Sequence, residues 1–326
     1  MDAKNNTPLI ETKKLNKYFN VPKGVLKAVD GVDMQIHRGK TLGVVGESGC
    51  GKSTLGKTLL GIHPSTGGEI IFDGKPVSQY NKQEKRQFMQ RAQMIFQDPN
   101  SSLNARMTVN QIIADPLVVN KLCANKAERE ERVKELMETV GLAQRLNYAY
   151  PHELDGGRLQ RVGIARCLSL NPEFIVCDEP VSALDVSIQA QILNLLMDLQ
   201  EEKNLTYMFV THDLSVVKHI SDEIMVMYLG RCVEKAPTNE LFKNPQHPYT
   251  KALLAAIPMP NLDMRRGLRK RELIKGELTS PINPKPGCAF AARCPYATAA
   301  CTGEDLPLTD LGGGHQVACR LFMDGK

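Results

Sequence analysis

The segment Gly46–Ser53 has the residue types and spacing of a phosphate-binding loop. It reads Gly-Glu-Ser-Gly-Cys-Gly-Lys-Ser and fits the pattern Gly-x4-Gly-Lys-Ser/Thr at every fixed position. Glycines let backbone N–H groups point at phosphate oxygens, and a helix that begins near Lys52 would add its positive N-terminal end. Lys52 would reach the β- and γ-phosphates, and the hydroxyl of Ser53 would ligate Mg²⁺, with Thr54 as a second hydroxyl nearby. A chance glycine-rich turn is the alternative, which the placement between an apolar run and a helical segment disfavours.

Three other polar groups also follow short apolar runs. Asp178 is placed as a carboxylate that holds Mg²⁺, and Glu179 directly after it could polarise an attacking water as general base. The alternative for Glu179 is an ordinary solvated glutamate. His212 could donate to a γ-phosphate, and Gln97 could complete the Mg²⁺ shell and sense the γ-phosphate. Either residue by itself would say little, because a lone His or Gln is usually structural.

The elements that must position these groups follow from apolar spacing. Residues 42–45, 174–177 and 207–210 are short apolar runs, which predict buried strands. Residues 52–62 and 187–202 have helical spacing of apolar positions. Strands that alternate with helices predict an α/β fold with a parallel sheet and covering helices. Ligands of such sheets bind at the carboxyl ends of the strands, where these polar groups lie.

Composition limits the class of protein. The chain has 326 residues, 42% of them hydrophobic, a net charge of +5 and no Trp. Aromatic residues make up 5% of the chain, so a base-stacking platform for nucleic acid is not expected. No run approaches the roughly 18 apolar residues of a membrane-spanning helix, and the polar first residues lack the apolar core of a secretory signal. We therefore expect a cytosolic or peripheral protein.

The chain also shows a division into parts. Residues 126–142 are charged with helical spacing, and we place a helical insertion at about 98–170. Proline and glycine are frequent after residue 237, so we expect a main domain over 1–237 and a loop-rich extension over 238–326. The basic stretch Arg265–Arg271 in this extension could meet an anionic surface, although a solvated face is the simpler interpretation.

Four of the nine cysteines lie close together near the C-terminus, with the spacing Cys288-x5-Cys294-x6-Cys301-x17-Cys319. Structural zinc sites usually have C-x2-4-C pairs, which are absent here, so wider thiolate spacing favours a 4Fe–4S cluster. Zinc, with His315 as an alternative ligand, and free thiols remain open. Cys50 lies inside the phosphate loop, where a structural role is expected because the backbone binds phosphate.

Together these segments resemble the ATP-binding subunits of ABC transporters, and more closely the branch that imports dipeptides, oligopeptides or nickel. The motifs occur in the order of that family between residues 46 and 213. They are the Walker A loop Gly46–Ser53, the Q-loop residue Gln97, the signature Leu154–Gln160, the Walker B strand Phe174–Glu179, the D-loop Ser182–Asp185 and the H-loop residue His212. The segments Val44–Lys52, Asp178–Val186 and Asn244–Thr250 carry the likeness to the importer branch.

The resemblance implies a P-loop NTPase fold with a RecA-like parallel sheet, an N-terminal antiparallel β subdomain, the helical insertion and the Cys-containing extension. It implies ATP, Mg²⁺ and a 4Fe–4S cluster as ligands, with zinc as the alternative to the cluster. The implied partners are a second, paralogous ATPase subunit, two transmembrane permease subunits and an extracytoplasmic substrate-binding protein, with no nucleic acid. The implied location is the cytoplasmic face of the cell membrane, as a peripheral subunit. Import of nickel or a metal–opine complex, or a soluble ABC ATPase without a membrane partner, are the alternatives.

The resemblance also assigns roles to residues. Glu179, His212, Gln97 and Lys52 are the implied catalytic residues, and Phe19 is the aromatic residue that best fits the place of the adenine stack. The implied ligands of Mg²⁺ are Ser53, Gln97 and Asp178. The implied ligands of the 4Fe–4S cluster are Cys288, Cys294, Cys301 and Cys319. The implied nucleotide-binding residues are Phe19, Gly46, Glu47, Ser48, Gly49, Cys50, Gly51, Lys52, Ser53, Thr54, Gln97, Asp155, Gly156, Gly157, Asp178 and Asp185.

One position departs from the family pattern. The usual signature Leu-Ser-Gly-Gly-Gln is here Leu154-Asp155-Gly156-Gly157-Arg158. An ionised Asp cannot donate to the γ-phosphate as Ser would, and it repels phosphate, whereas Arg158 adds compensating positive charge. We therefore expect an asymmetric heterodimer in which the ATP site that uses this signature is the weaker one. The alternative is that Asp155 turns away and both sites work.

Overall fold

The computed structural model describes residues 7–256 and 280–323, without the side chain of Asn100. The basic stretch Arg265–Arg271 therefore lies outside the described residues. The strands are β1 (Ile10–Val21), β2 (Gly24–Ile36), β3 (Thr41–Val45), β4 (Gly67–Phe72), β5 (Lys75–Pro76), β6 (Ala92–Ile95), β7 (Phe174–Asp178), β8 (Thr206–Val210), β9 (Glu223–Tyr228), β10 (Arg231–Pro237), β11 (Thr309–Asp310) and β12 (Gln316–Val317). The helices are α1 (Lys52–Leu59), α2 (Lys82–Arg91), α3 (Pro99–Ser102), α4 (Val109–Asn120), α5 (Lys126–Thr139), α6 (Gly156–Leu168), α7 (Val186–Lys203), α8 (Leu214–Ile220), α9 (Thr238–Lys243) and α10 (Pro248–Ala255).

The chain divides into two compact units. We call one the insertion unit, which contains residues 7–9, Ile36–Lys40 and Asp73–Val210. We call the other the phosphate-loop unit, which contains Ile10–Gln35, Thr41–Phe72 and the described part of 211–326. Each unit is described by itself.

Parallel strands form the centre of the insertion unit. Strand β7 pairs with β6 on one side, with Phe174 opposite Ala92, and with β8 on the other, with Phe174 opposite Thr206. All residues of β7 and β8 are buried. Strands covered on both faces require continuous apolar runs, and such runs predicted these strands from the sequence. The predicted parallel sheet is confirmed.

Helices fill most of the segment 98–170 in the same unit. Helices α4, α5 and α6 pack on one another, and α6 also packs on α7 and β6. Helix α5 begins at an Asn125 cap and buries one face through Val133, Leu136 and Met137. It ends at Thr139, three residues before the predicted end, because Gly141 adopts a left-handed conformation with φ 68°.

The phosphate-loop unit contains the predicted antiparallel β subdomain. Strand β1 lies between β2 and β4, with Ile10 opposite Phe72 in the antiparallel pairing with β4. A second group of strands begins with β3, which runs parallel to β9, and continues through the antiparallel strands β10, β12 and β11. Helix α1 follows β3 directly after the glycine-rich loop, so the expected order of strand, loop and helix is confirmed.

The described part of the C-terminal extension docks on this unit. Strand β12 extends the sheet at β10, where Val317 lies opposite Glu234. The buried carboxylate of Glu234 accepts hydrogen bonds from the backbone N–H groups of Gln246 and His247 and pairs with the ring of His315 at 2.7 Å. A buried carboxylate needs such partners, so Glu234 ties two segments of the extension to β10. The domain boundary at residue 237 stays a prediction.

Candidate active site

Two glycines of the phosphate loop occupy conformations that other residues rarely adopt. Gly46 has φ 155° and Gly51 has φ 103°. A Cβ atom at Gly46 would collide with the carbonyl oxygen of Met227, and one at Gly51 with that of Ala28. Both the backbone conformation and the lack of space therefore require glycine here.

Lys52 closes the loop from its C-terminal end. Its ammonium is buried, with 4% exposure, and donates to the carbonyl oxygens of Gly46 at 2.9 Å and Glu47 at 3.0 Å. Cys50 is also buried, and burial raises the pKa of its thiol. A buried, protonated thiol is unreactive, which supports the structural role expected for Cys50. The loop thus holds a cation at the point where phosphate is expected.

Gln97 and Glu179 form a pair in the insertion unit. The amide Nε2 of Gln97 donates to Oε2 of Glu179 over 3.0 Å. Glu179 has φ 46°, a left-handed conformation uncommon for a residue with a side chain, and its N–H donates to the carbonyl of Val210 at 2.9 Å. Asp178 precedes it at the end of β7 with 3% exposure. Strained backbone of this kind is concentrated at functional sites, which agrees with the role predicted for Glu179.

Asp155 and Asp185 each begin a helix. Asp155 is the N-cap of α6 and accepts a hydrogen bond from the backbone N–H of Arg158 at 2.8 Å. Asp185 is the N-cap of α7 and accepts from the N–H of Ile188 at 3.0 Å. A Cβ at Gly157 would lie 2.7 Å from the side chain of Ile188, so this signature glycine also allows α6 to approach α7. Asp155 therefore has a structural role, and its effect on ATP stays a prediction.

Phe19 is half-buried on β1 and is not a core residue. The ring of His63 meets it edge-on at 5.6 Å, and the ammonium of Lys17 lies 4.6 Å from its centre. The neighbouring Tyr18 is engaged differently, because its hydroxyl bonds to Asp30 and Asn16. The partial exposure of Phe19 is compatible with a base stack, which stays a prediction.

The predicted residues are distributed over both units. His212 is exposed and lies just before Asp213, the N-cap of α8. The insertion unit contains Gln97, Asp155, Gly156, Gly157, Asp178, Glu179 and Asp185. The phosphate-loop unit contains Phe19, Gly46, Glu47, Ser48, Gly49, Cys50, Gly51, Lys52, Ser53, Thr54, His212 and the four C-terminal cysteines.

The four C-terminal cysteines line one cavity of about 260 Å³, together with His247, Phe290 and Arg320 among others. The pKa of Cys288 is raised to about 11, mainly by burial and also by the proximity of the three other thiols. In residues 7–256 and 280–323, no three His, Cys, Asp or Glu side chains gather tightly enough to hold a metal ion. His315, the alternative zinc ligand, instead pairs with Glu234.

Two residues that fix the phosphate loop were not selected from the sequence as site residues. Arg293 pairs with the carboxylate of Glu47, and the hydroxyl of Tyr249 accepts from the backbone N–H of Glu47. Tyr249 lies in the segment Asn244–Thr250 that resembles the importer branch, and Arg293 precedes Cys294. Both residues therefore lie in segments that the sequence marks as distinctive, but no local pattern indicates that they contact Glu47.

A glycine-rich loop between a buried strand and a helix, with an Asp-Glu pair at the end of a buried parallel strand, defines a P-loop ATPase. Comparison with known proteins narrows this class. The ABC transporter family matches residues 29–182, and the family described as "Oligopeptide/dipeptide transporter, C-terminal region" matches residues 233–301.

Two relatives are similar over most of their length. The dipeptide transport ATP-binding protein DppF of Escherichia coli is 50% identical over 318 residues, which are 96% of this chain and 94% of the relative. The oligopeptide transport ATP-binding protein OppF of Bacillus subtilis is 55% identical over 287 residues, which are 86% of this chain and 94% of the relative. The chain belongs to the ABC transporter family, in the group of oligopeptide and dipeptide transport ATP-binding proteins, and it is an ATPase.

Solved structures agree with this placement. The ATP-binding cassette MJ0796, a dimer in a post-hydrolysis state with ADP and Pi, is 28% identical with a TM-score of 0.64, over 70% of this chain and 98% of that chain. The protein cbiO1 of Clostridium perfringens, part of an ABC transporter complex, is 29% identical with a TM-score of 0.65, over 73% of this chain and 92% of that chain. Among the described residues, no helix combines the length and hydropathy needed to cross a membrane.

Proposed function

We propose that this protein hydrolyses ATP to drive import of dipeptides or oligopeptides through an ABC transporter. The observation that carries this proposal is the match that runs through both the ATPase part and the C-terminal region of peptide-transport relatives. The names of these relatives favour peptides over nickel or a metal–opine complex as cargo. A soluble ABC ATPase is the weaker alternative, because these relatives are named as transport proteins.

In this proposal the phosphate loop binds the triphosphate of ATP. Backbone N–H groups of Gly46–Thr54 other than those of Glu47 and Cys50 would face the phosphate oxygens, and Lys52 would exchange its carbonyl partners for the β- and γ-phosphates. The ammonium of Lys52 would therefore have hydrogen-bond partners both without ATP, from the two carbonyl oxygens, and with ATP, from the phosphates. Phe19 would stack on adenine.

The remaining residues act on the γ-phosphate. Glu179 accepts a proton from the attacking water. Gln97, which is hydrogen-bonded to Glu179, orients that water. His212 donates to the γ-phosphate as charge develops. Ser53, Gln97 and Asp178 offer a hydroxyl, an amide and a carboxylate oxygen, a donor set that suits Mg²⁺, which would neutralise phosphate charge.

We further propose a heterodimer with a paralogous ATPase, bound to two permease subunits on the cytoplasmic face of the membrane, with an extracytoplasmic binding protein delivering the cargo. The site built on Lys52 and Glu179 would use the signature of the partner and hydrolyse ATP. The site that uses Asp155 would be weaker, because a carboxylate repels phosphate. Replacing the base Glu on each subunit in turn tests this asymmetry, and an equal loss of ATPase from either change would contradict it.

For the cysteine cavity we propose a 4Fe–4S cluster held by Cys288, Cys294, Cys301 and Cys319. Four thiols around one cavity with the apolar wall of Phe290 support this proposal. A cluster here would act as a structural clasp for the extension. An anaerobic preparation without iron or acid-labile sulfide would refute it.

The experiment that tests the main proposal is a tagged pull-down from detergent-solubilised membranes, with assay of the purified complex. We expect two permease subunits and a second ATPase to co-purify, and ATP hydrolysis to rise when the binding protein is loaded with peptide. Recovery of the chain alone, or with ribosomes or DNA, would instead favour the soluble alternative.

A further inference from the structure

We infer that Arg293 is a positioning residue for the phosphate loop. Arg293 lies in residues 288–319, which contain the four C-terminal cysteines and which we call the four-cysteine segment. The affinity for ATP therefore depends on the folded state of that segment. The inference rests on the proposed role of Gly46–Ser53 as the ATP site. It goes beyond that role because it couples the C-terminal segment to nucleotide binding through one side chain.

The contact itself is a two-fold ion pair. Nη1 of Arg293 donates to Oε2 of Glu47 at 2.8 Å, and Nη2 donates to Oε1 at 3.0 Å. The side chain of Arg293 is 8% exposed and that of Glu47 is 23% exposed. Exposed ion pairs usually contribute little, but a shielded pair with two parallel hydrogen bonds fixes geometry as well as charge.

Glu47 is held at its backbone as well. Its N–H donates to the hydroxyl of Tyr249 at 2.8 Å, and its carbonyl oxygen accepts from Lys52 at 3.0 Å and from the N–H of Cys50 at 3.3 Å. The second residue of the loop is thus attached to the C-terminal extension through both main chain and side chain. Because the loop binds phosphate with its backbone, the position of Glu47 decides how well that backbone is preorganised.

Arg293 is itself fixed by aromatic packing. Its guanidinium lies 5.8 Å from the ring of Tyr228 and 6.0 Å from the ring of Phe290, and it donates to the hydroxyl of Tyr228 at 3.3 Å. Phe290 in turn contacts Tyr228 and Tyr249, with ring centres 5.3 and 5.4 Å apart. The buried ring of Phe290 therefore contacts both Arg293 and Tyr249, the two residues that hold Glu47.

The chain position of Arg293 makes it responsive to the cysteines. It lies in the short turn Ala291–Arg293, where its N–H donates to the carbonyl of Phe290 at 2.9 Å, and Cys294 follows directly. Cys294 lines the same cavity as Cys288. A rearrangement around these thiols would therefore displace Arg293 and release the carboxylate of Glu47.

Release would weaken ATP binding for an electrostatic reason. Glu47 is a carboxylate in a loop that binds an anion, and Arg293 neutralises it. Without Arg293, its charge would repel the incoming phosphates. The same logic makes the coupling reciprocal, so bound ATP should in turn order the turn that contains Arg293.

The test measures the ATP dissociation constant by nucleotide titration of the full chain with Glu179→Gln, a change that prevents hydrolysis. KM and kcat are measured separately in chains that keep Glu179. We expect Arg293→Gln to raise the ATP dissociation constant about tenfold, with KM rising and kcat nearly unchanged. Arg293→Lys should restore part of the affinity, because it keeps the charge without the two parallel bonds. The double variant Arg293→Gln with Glu47→Gln should bind ATP more tightly than Arg293→Gln alone. Arg132→Gln, which breaks exposed contacts with Glu135 and Asn171 in the insertion unit, is the matched control and should leave the ATP dissociation constant unchanged.

A second measurement tests reciprocity. We expect ATP to slow hydrogen exchange at residues 288–301 in the parent chain and not in the Arg293→Gln variant. Unchanged ATP affinity in Arg293→Gln, or a double variant as weak as the single one, would overturn the inference. Failure of the parent chain to bind ATP would instead contradict the proposed function, since the loop would not be the nucleotide site.

Discussion

Gln97 donates its side-chain amide to the carboxylate of Glu179 over 3.0 Å, although 82 positions separate them in the chain. The register of two parallel strands explains this contact. Ile95 in β6 lies opposite Cys177 in β7, and Gln97 and Glu179 each follow two residues later, just past the ends of these strands. The strand pairing thus aligns the proposed base with the residue that would orient its water.

The first prediction concerns Glu179 itself. Glu179→Gln should lower ATP hydrolysis at least about 100-fold, because the amide cannot accept a proton from water. ATP affinity should stay close to that of the parent chain, as measured by nucleotide titration. Glu201→Gln on the exposed face of α7 is the control. Hydrolysis within a few-fold of the parent would exclude Glu179 as the general base.

The second prediction separates two glycines. Gly51→Ala should abolish ATP binding and destabilise the chain. The new Cβ would collide with the carbonyl oxygen of Ala28, and the φ of 103° at Gly51 is unfavourable for alanine. Gly163→Ala, in the interior of α6 with open space around its Cβ, should stabilise the chain by about 0.5–1 kcal/mol. Thermal unfolding and nucleotide titration measure both effects. Normal ATP binding by Gly51→Ala would contradict the loop geometry described above.

The third prediction concerns the helix cap at Asp155. Asp155→Ala should lower the free energy of unfolding by about 1 kcal/mol, because the N–H of Arg158 loses its acceptor. Asp155→Ser should retain most of that stability, since Ser is also a good N-cap. Urea unfolding of the three chains gives the comparison. Equal stability of the Ala and Ser variants would show that the cap contributes little.

The fourth prediction concerns pH. Arg91 hydrogen-bonds to both Asp73 and Glu173, and these bonds are the main cause of the lowered pKa of each carboxyl. Because the unfolded chain has the ordinary pKa values of 3.8 and 4.5, this stabilisation is complete above about pH 5 and is lost as pH falls through the lower folded values. Both carboxylates are partly exposed, so screening limits the effect to about 1 kcal/mol.

Arg91→Gln should therefore destabilise the chain near pH 7 and leave a smaller further loss between pH 5 and about 3. Urea unfolding of parent and variant at several pH values, at low and at high salt, provides the measurement. A difference between parent and variant that grew on acidification would contradict the assignment.

The fifth prediction concerns the cysteine cavity. Cys301→Ser should lower bound iron and acid-labile sulfide in anaerobically purified protein, because one ligand of the proposed cluster is lost. Cys123→Ser is the matched control, since Cys123 lies between α4 and α5 and does not line the cavity. Iron analysis and visible absorption give the comparison. Equal iron in both variants would exclude Cys301 as a ligand.

The strands, the helices and the local chemistry follow from short-range patterns in the sequence. The glycines around Lys52, the apolar runs before Asp178 and His212, and the helical spacing after Asp185 are all local patterns, and the structure has strands and helices at those places. The strand–loop–helix order around Gly46–Ser53 needed no distant contact to be recognised, because backbone conformation there is dictated by residue type.

Contacts between distant groups, in contrast, depend on how the whole chain folds. Arg293 and Glu47 are separated by 246 positions, and nothing in either local pattern indicates that the cysteine segment holds the phosphate loop. His315 could have been a metal ligand by residue type, but the pairing of β12 with β10 places it against Glu234. Side chains far apart in sequence are brought together by strand register and core packing, and these depend on the whole chain rather than on any short segment.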